Sequence, residues 1–131
     1  MNGSALAAPS ELLASADEML TSPVPGLGTQ WPRACALVIR LALEQTLDRY
    51  WRRVVPSAAD CGMRAQLLLL PLYAGEEAAG LAREAWLGLA GAAHHHAYEL
   101  APTAAELRRW HAAVVRLGEL LGPNRAAGAP G

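Results

Sequence analysis

The segment Thr103–Pro123, TAAELRRWHAAVVRLGELLGP, carries the clearest structural signal in this 131-residue chain. Thr103 and Glu106 have the spacing of a capping box, in which the two side chains accept backbone N–H groups of the first helical turn. Gly122 and Pro123 end the pattern. Between these signals, apolar residues recur at three- and four-residue steps and predict one buried seam: Leu107, Trp110, Val114, Leu117 and Leu121. The segment therefore predicts an amphipathic helix that packs against other helices.

The rest of the chain can be divided into helices by its nine prolines. A first helix is expected from about Ser10 to the Pro/Gly-rich stretch after Ser22, and a second from Gln30 to about Val54. The remaining predicted helices are a third over Asp60–Leu70 ended by Pro71, a fourth from Glu76 to the histidines, and a fifth from Thr103. This order of elements predicts an all-α protein, a bundle of four or five helices.

The second helix has two halves of different character. Residues 34–43 are apolar almost throughout, which is typical of a central, buried helix. Residues 44–53 are polar and are expected to project toward solvent. We predict three regions: an N-terminal helix and linker over 1–30, a bundle core over 31–122 and a flexible tail over 123–131.

Composition limits the classes of function. The net charge is −1, so the whole chain has no general attraction to nucleic acid or to anionic membranes. All eleven basic residues are arginine, which indicates either GC-rich codon usage, as in an actinobacterium, or a selected phosphate-binding role. A local basic patch around Arg49, Arg52 and Arg53 is one interpretation of the uneven charge, and a solvated helix face is the other. Two cysteines form neither a disulfide framework nor a metal site. We predict a cytoplasmic protein, with no signal peptide and no membrane span.

Three consecutive histidines, His94, His95 and His96, are the most concentrated chemistry in the sequence. Neighbours in a helix point about 100° apart, so all three cannot face one ligand. His95 and His96 each fall on the same side as Glu99. Three interpretations follow: a helix end exposed to solvent, a contact to nucleic acid or phosphate, and a metal site, for which His111 is a further candidate ligand. We predict no metal and no cofactor.

Arg40 and Glu44 are one turn apart on the otherwise apolar second helix. They are either an internal ion pair that fixes helix packing or part of a polar pocket that faces the histidines. The second interpretation predicts a binding groove formed by Arg40, Glu44, His95, His96 and Glu99. The four tryptophans are assigned to core or dimer packing: Trp31, Trp51, Trp86 and Trp110.

The stretch Trp31–Glu44, WPRACALVIRLALE, resembles the central helix of HEPN domains. The later layout is similar too, with a helix ending in Gly91-Ala92-Ala93-His94, a short turn and a last helix from Thr103. The resemblance implies a small all-α bundle, usually dimeric, of the kind found in toxin–antitoxin and phage-defence systems. Active members are metal-independent ribonucleases whose Arg and His, four to six residues apart, form a site across the dimer.

This chain departs from that motif, because no arginine lies four to six residues before His94, His95 or His96. The nearest preceding arginine is Arg83. The resemblance therefore implies a HEPN-like fold with an incomplete catalytic pair. The leading hypothesis is a non-catalytic binding or regulatory module of a bacterial conflict, defence or RNA-related system, a homodimer or bound to a partner protein, with RNA as a further candidate ligand.

Two alternatives stay open. One is a divergent, metal-independent ribonuclease of the toxin type, which uses His94–His96 with an arginine from a distant helix or a second subunit. The other is a structural interaction subunit that docks a partner through the Leu107–Leu121 seam or through exposed tryptophans.

Overall fold

The computed structural model describes residues 7–22, 26, 28–93 and 100–123, and within these ranges it contains helices and no strand. A 3₁₀ turn at Gly28–Gln30 leads into the longest helix. The six α-helices of the described ranges are α1 Pro9–Thr21, α2 Trp31–Val54, α3 Pro56–Ala59, α4 Met63–Ala74, α5 Glu76–Ala93 and α6 Ala104–Leu121. The predicted all-α class is confirmed, and the helices pack as a bundle. None of the described helices is both long and apolar enough to cross a membrane.

The central helix of the bundle is α2, which contacts α1, α3, α5 and α6. At its start, Arg33 Nη1 donates to the carbonyl oxygen of Ala92, 3.4 Å away, and about two turns later Arg40 lies over the ring of Trp86. Residue numbers rise along α2 as they fall along α5 between these two contacts, so the two helices are antiparallel. Two ion pairs join α6 to α5: Arg109–Glu84 at 3.3 Å and Arg116–Glu77 at 3.2 Å. Residue numbers rise along α6 as they fall along α5, so these two helices are also antiparallel. Consequently α6 is parallel to α2.

Helix α1 is fixed to the bundle through its own backbone. Its buried side chains, Ala16, Met19 and Leu20, belong to the core shared with the other helices. Side chains of α2 and α6 also form hydrogen bonds with its carbonyl oxygens: Cys35 Sγ with Ala16 (3.7 Å), Arg108 Nη2 with Leu20 (3.2 Å) and His111 Nε2 with Leu13 (2.8 Å).

The predicted features of α6 are confirmed. Thr103 Oγ1 accepts from the backbone N–H of Glu106 at 3.0 Å, and Glu106 Oε1 accepts from the N–H of Thr103 at 2.9 Å. Both halves of the capping box are therefore present. Every residue of the predicted seam is buried: Leu107, Trp110, Val114, Leu117 and Leu121.

The prediction that the second half of α2 projects toward solvent is wrong. Leu47 and Trp51 are fully buried there, and Tyr50 is nearly so. Conversely, Leu37 and Leu41 in the apolar half are substantially exposed. The reason is geometric: α2 runs the length of the bundle, so one stripe is buried from end to end and the opposite stripe is exposed.

The predicted third helix also differs from the structure. A short helix, α3, and a turn occupy residues 56–62, and Gln66 Nε2 donates to the carbonyl oxygen of Cys61 at 2.8 Å to hold this turn. Pro71 does not end α4, which continues to Ala74 and ends at Gly75 with φ of 92°. Proline removes one intrahelical hydrogen bond, and the last turn of α4 closes regardless, with Gly75 N–H donating to the Pro71 carbonyl at 3.1 Å.

Candidate functional site

The histidine cluster lies outside the described residues. His94 and three residues of the predicted groove, His95, His96 and Glu99, fall in the range 94–99, the first part of the segment between α5 and α6. His111 is on α6 and is engaged with the backbone of α1. Within the described ranges, no group of three or more His, Cys, Asp or Glu side chains is arranged to hold a metal ion.

Arg40 and Glu44 form the predicted pair, with 3.4 Å between Arg40 Nε and Glu44 Oε2. The Arg40 guanidinium also lies 4.8 Å from the ring centroid of Trp86, a cation–π distance. Both charged side chains keep about a third of their surface exposed, so the pair is half-buried rather than internal. An ion pair in such a setting contributes little to stability, about 0–1 kcal/mol. Its main effect is to fix the Arg40 guanidinium against α5.

Exposed leucines lie beside this contact. Each residue of a helix is rotated by about 100° from the one before it. In two antiparallel helices, the residues that directly follow a pair of contacting residues therefore point to the same side of the helix pair. Leu41 and Leu87, which follow Arg40 and Trp86, therefore share one surface, and Leu37 extends it by one turn. These leucines are 42%, 66% and 50% exposed, respectively. We refer to Leu37, Arg40, Leu41, Trp86 and Leu87 as the α2–α5 face.

A separate cleft of about 880 Å³ opens between the start of α1 and the C-terminal halves of α2 and α6. Its size is typical of small-molecule sites, about 300–1,000 Å³. The lining is mostly apolar, and the apolar and small residues are Ala8, Pro9, Leu13, Ala14, Val114, Val115, Gly118, Leu121, Gly122 and Pro123. The polar lining residues are Ser10, Asp17, Thr46, Arg49, Tyr50, Arg53, His111 and Glu119.

The basic end of this cleft is formed by α2. Arg53 Nη2 donates to the carbonyl oxygen of Leu121 at the end of α6, and its guanidinium lies 5.7 Å from the Tyr50 ring centroid. Burial raises the pKa of the Tyr50 hydroxyl, against the opposing effect of the Arg53 charge. The hydroxyl is therefore a neutral donor at neutral pH.

The three arginines of the predicted basic patch are separated by the fold. Arg49 and Arg53 line the cleft, whereas Arg52 points away and pairs with Asp48 at 3.0 Å and Asp60 at 3.8 Å. The hydrogen bond and charge of Asp48 raise the pKa of Arg52. The sequence shows the three arginines close together on one helix but does not predict the cleft, because the apolar walls come from α1 and α6, which are far from α2 in the chain.

The buried cysteine, Cys35, does not provide an activated nucleophile. Burial raises the pKa of the Cys35 thiol to about 11, although the positive charge of Arg108 acts in the opposite direction. The thiol is therefore protonated at neutral pH and unreactive. Cys61 is exposed, and its Sγ lies 3.7 Å from the carbonyl oxygen of Ser57.

Comparison with protein-family models, with curated proteins and with solved structures finds no match to this chain.

Proposed function

We propose that the protein is a non-catalytic binding or regulatory module with a HEPN-like fold, which acts as a homodimer in a bacterial conflict, defence or RNA-related system. The observation that carries the proposal is the α2–α5 face, where three exposed leucines lie on the same side of the helix pair as a guanidinium held against Trp86. Exposed apolar residues that adjoin one another are a common feature of protein interaction surfaces. Aromatic residues and arginine are enriched in such interfaces.

The position of Arg33 supports a role for the same side of the bundle. Its contact with Ala92 brings the start of α2 against the end of α5. His94 follows Ala92 by two residues in the sequence. The absence of an arginine at the HEPN spacing favours a binding role over catalysis.

Self-association is the first test of the proposal. We expect a mass near twice 13.8 kDa in light scattering after size exclusion at tens of micromolar protein. Leu41→Asp and Leu87→Asp each place a charge on the α2–α5 face and are expected to give the monomer mass. Leu72→Asp is the matched control, because Leu72 is 79% exposed on α4 and lies outside that face. Circular dichroism of each variant checks that the helices are retained.

A monomeric wild-type protein, or a Leu72→Asp variant that dissociates as readily as the other two, would contradict the homodimer.

Ligand binding is the second test. We expect a short single-stranded RNA to bind the wild-type protein without being cleaved. Replacement of His94, His95 and His96 by Ala should weaken binding and leave the melting temperature unchanged. Cleavage that persists in the presence of a chelator would instead favour the metal-independent ribonuclease. Unchanged RNA binding by the triple variant would remove the histidines from the proposal.

A further inference from the structure

We propose that the cleft between α1, α2 and α6 binds a small amphipathic anion, a molecule with an apolar chain and a single anionic group, and that Arg49 binds the anionic group. This inference is independent of the HEPN-like identity and of the α2–α5 face. It rests on the shape of the cleft, on the chemistry of its walls and on the distribution of charge along it.

The walls favour an apolar chain. The apolar lining includes Leu13 and Ala14 of α1 and Val114, Val115 and Gly118 of α6. Gly118 contributes additional room, since a Cβ at this position would meet no atom within 4 Å. Removal of an apolar chain from water into such a cleft contributes about 25 cal/mol for each Å² buried. An apolar cleft with a few polar groups is the usual form of a small-molecule site.

The charges differ between the two ends of the cleft. Leu13 meets His111 at one end, and Asp17 lies one turn further along α1. Arg53 meets Leu121 at the other end. Because ten residues of α6 separate these two contacts, the ends are about 15 Å apart. An anionic group is therefore repelled by Asp17 at one end and attracted by the arginines at the other.

Arg49 is the group available to the ligand. Arg53 already donates to the last carbonyl of α6, where the helix end carries a partial negative charge. Arg49 lies one turn before Arg53 on α2, also lines the cleft, and has no hydrogen bond or ion pair with the described residues. Glu119, the acidic residue nearest in sequence to this end of α6, is paired with Arg116 at 3.3 Å. A guanidinium binds carboxylate and phosphate oxygens through two parallel hydrogen bonds.

The test is isothermal titration calorimetry of the wild-type protein with dodecanoate, below the concentration at which it forms micelles. Dodecyl phosphate and dodecyltrimethylammonium have the same chain with a different anionic group and with a cationic group. We expect the two anions to bind more tightly than the cation, and the tighter of the two identifies the headgroup. Equal binding of the cation, or no binding of either anion, would overturn the proposal.

Two variants locate the site. Arg49→Gln is expected to weaken dodecanoate binding about tenfold or more, the effect of losing a hydrogen-bonded charge. Arg52→Gln is the matched control, since Arg52 lies on the same helix outside the cleft, and it should bind as the wild type does. Gly118→Leu fills the cleft and should abolish binding while it preserves the melting temperature. Binding unaffected by both Arg49→Gln and Gly118→Leu would place the ligand elsewhere and refute the inference.

Discussion

Replacement of Gly88 by alanine is expected to destabilise the protein, although alanine in place of a glycine inside a helix usually stabilises it. A Cβ on Gly88 would overlap the Trp110 indole, at atoms Cε2, Nε1 and Cζ2. This indole is nearly buried in the core, so it has little room to move aside. Alanine gains about 1 kcal/mol over glycine in a helix interior, whereas overpacking of a core costs about 1–3 kcal/mol. Because the overlap is severe, the upper part of that range applies, and we expect a net loss of about 1–2 kcal/mol.

Gly80 provides the matched control in the same helix. A Cβ there meets no atom within 4 Å, so Gly80→Ala should realise the full propensity gain of about 1 kcal/mol. Urea unfolding followed by circular dichroism measures the free energy of unfolding of both variants. In thermal unfolding, the melting temperature should shift by about 3–6 °C per kcal/mol for a domain of this size.

A double variant identifies the cause of the loss. Truncation of the indole in Trp110→Leu should make Gly88→Ala less costly than it is in the wild-type background, with a coupling energy of about 1 kcal/mol. If Gly88→Ala stabilises the protein as much as Gly80→Ala does, Gly88 does not pack closely against Trp110 and the reasoning is refuted.

Three further predictions concern the cap and the thiols. Thr103→Ala should lower the free energy of unfolding by about 1 kcal/mol, because the N–H of Glu106 loses its acceptor; thermal unfolding measures this, and an unchanged melting temperature would contradict it. Iodoacetamide at pH 8 should alkylate the exposed Cys61 and leave the buried Cys35 unmodified until urea unfolds the chain, which mass spectrometry resolves. The Cys35 pKa is raised from 9.0 to about 11, so the folded state holds the proton that the unfolded state loses and stability should fall as pH rises from 9 to 11. Cys35→Ala should reduce that slope, and an identical slope would refute the assignment.

Helix α6 was predicted well because the residues that define its cap, its buried side and its end all lie in one segment. The cap depends on two residues three apart, and the seam depends on a helical period that holds for the whole segment. The limits of α2 followed from Pro32 and Pro56 in the same way. The third helix was less predictable: Pro71 costs one hydrogen bond, yet α4 continues to Ala74 and closes its last turn on the Pro71 carbonyl.

The cleft and the exposure of α2 could not be predicted from local patterns. Which side of α2 is buried depends on how α1, α5 and α6 surround it, and that information lies in contacts between distant segments. Arg40 with Glu44 was predictable as a pair from its one-turn spacing, whereas the stacking of Arg40 on Trp86 depends on the antiparallel packing of α5. Arg49 and Arg52 are three residues apart and look alike in sequence, but only Arg49 reaches the cleft.

The attachment of α1 has a consequence for how this protein can vary. Side chains of the neighbouring helices form hydrogen bonds with the backbone carbonyl oxygens of Leu13, Ala16 and Leu20 in α1. Every amino acid supplies a backbone carbonyl, so these bonds do not depend on the side chains of α1. Substitutions on the outer side of α1 therefore leave its axial position unchanged, whereas a slip by one turn would misplace all three hydrogen bonds together. The outer surface of α1, away from the cleft, is therefore free to change its composition over evolution, while the register of the helix is specified by residues that lie on α2 and α6.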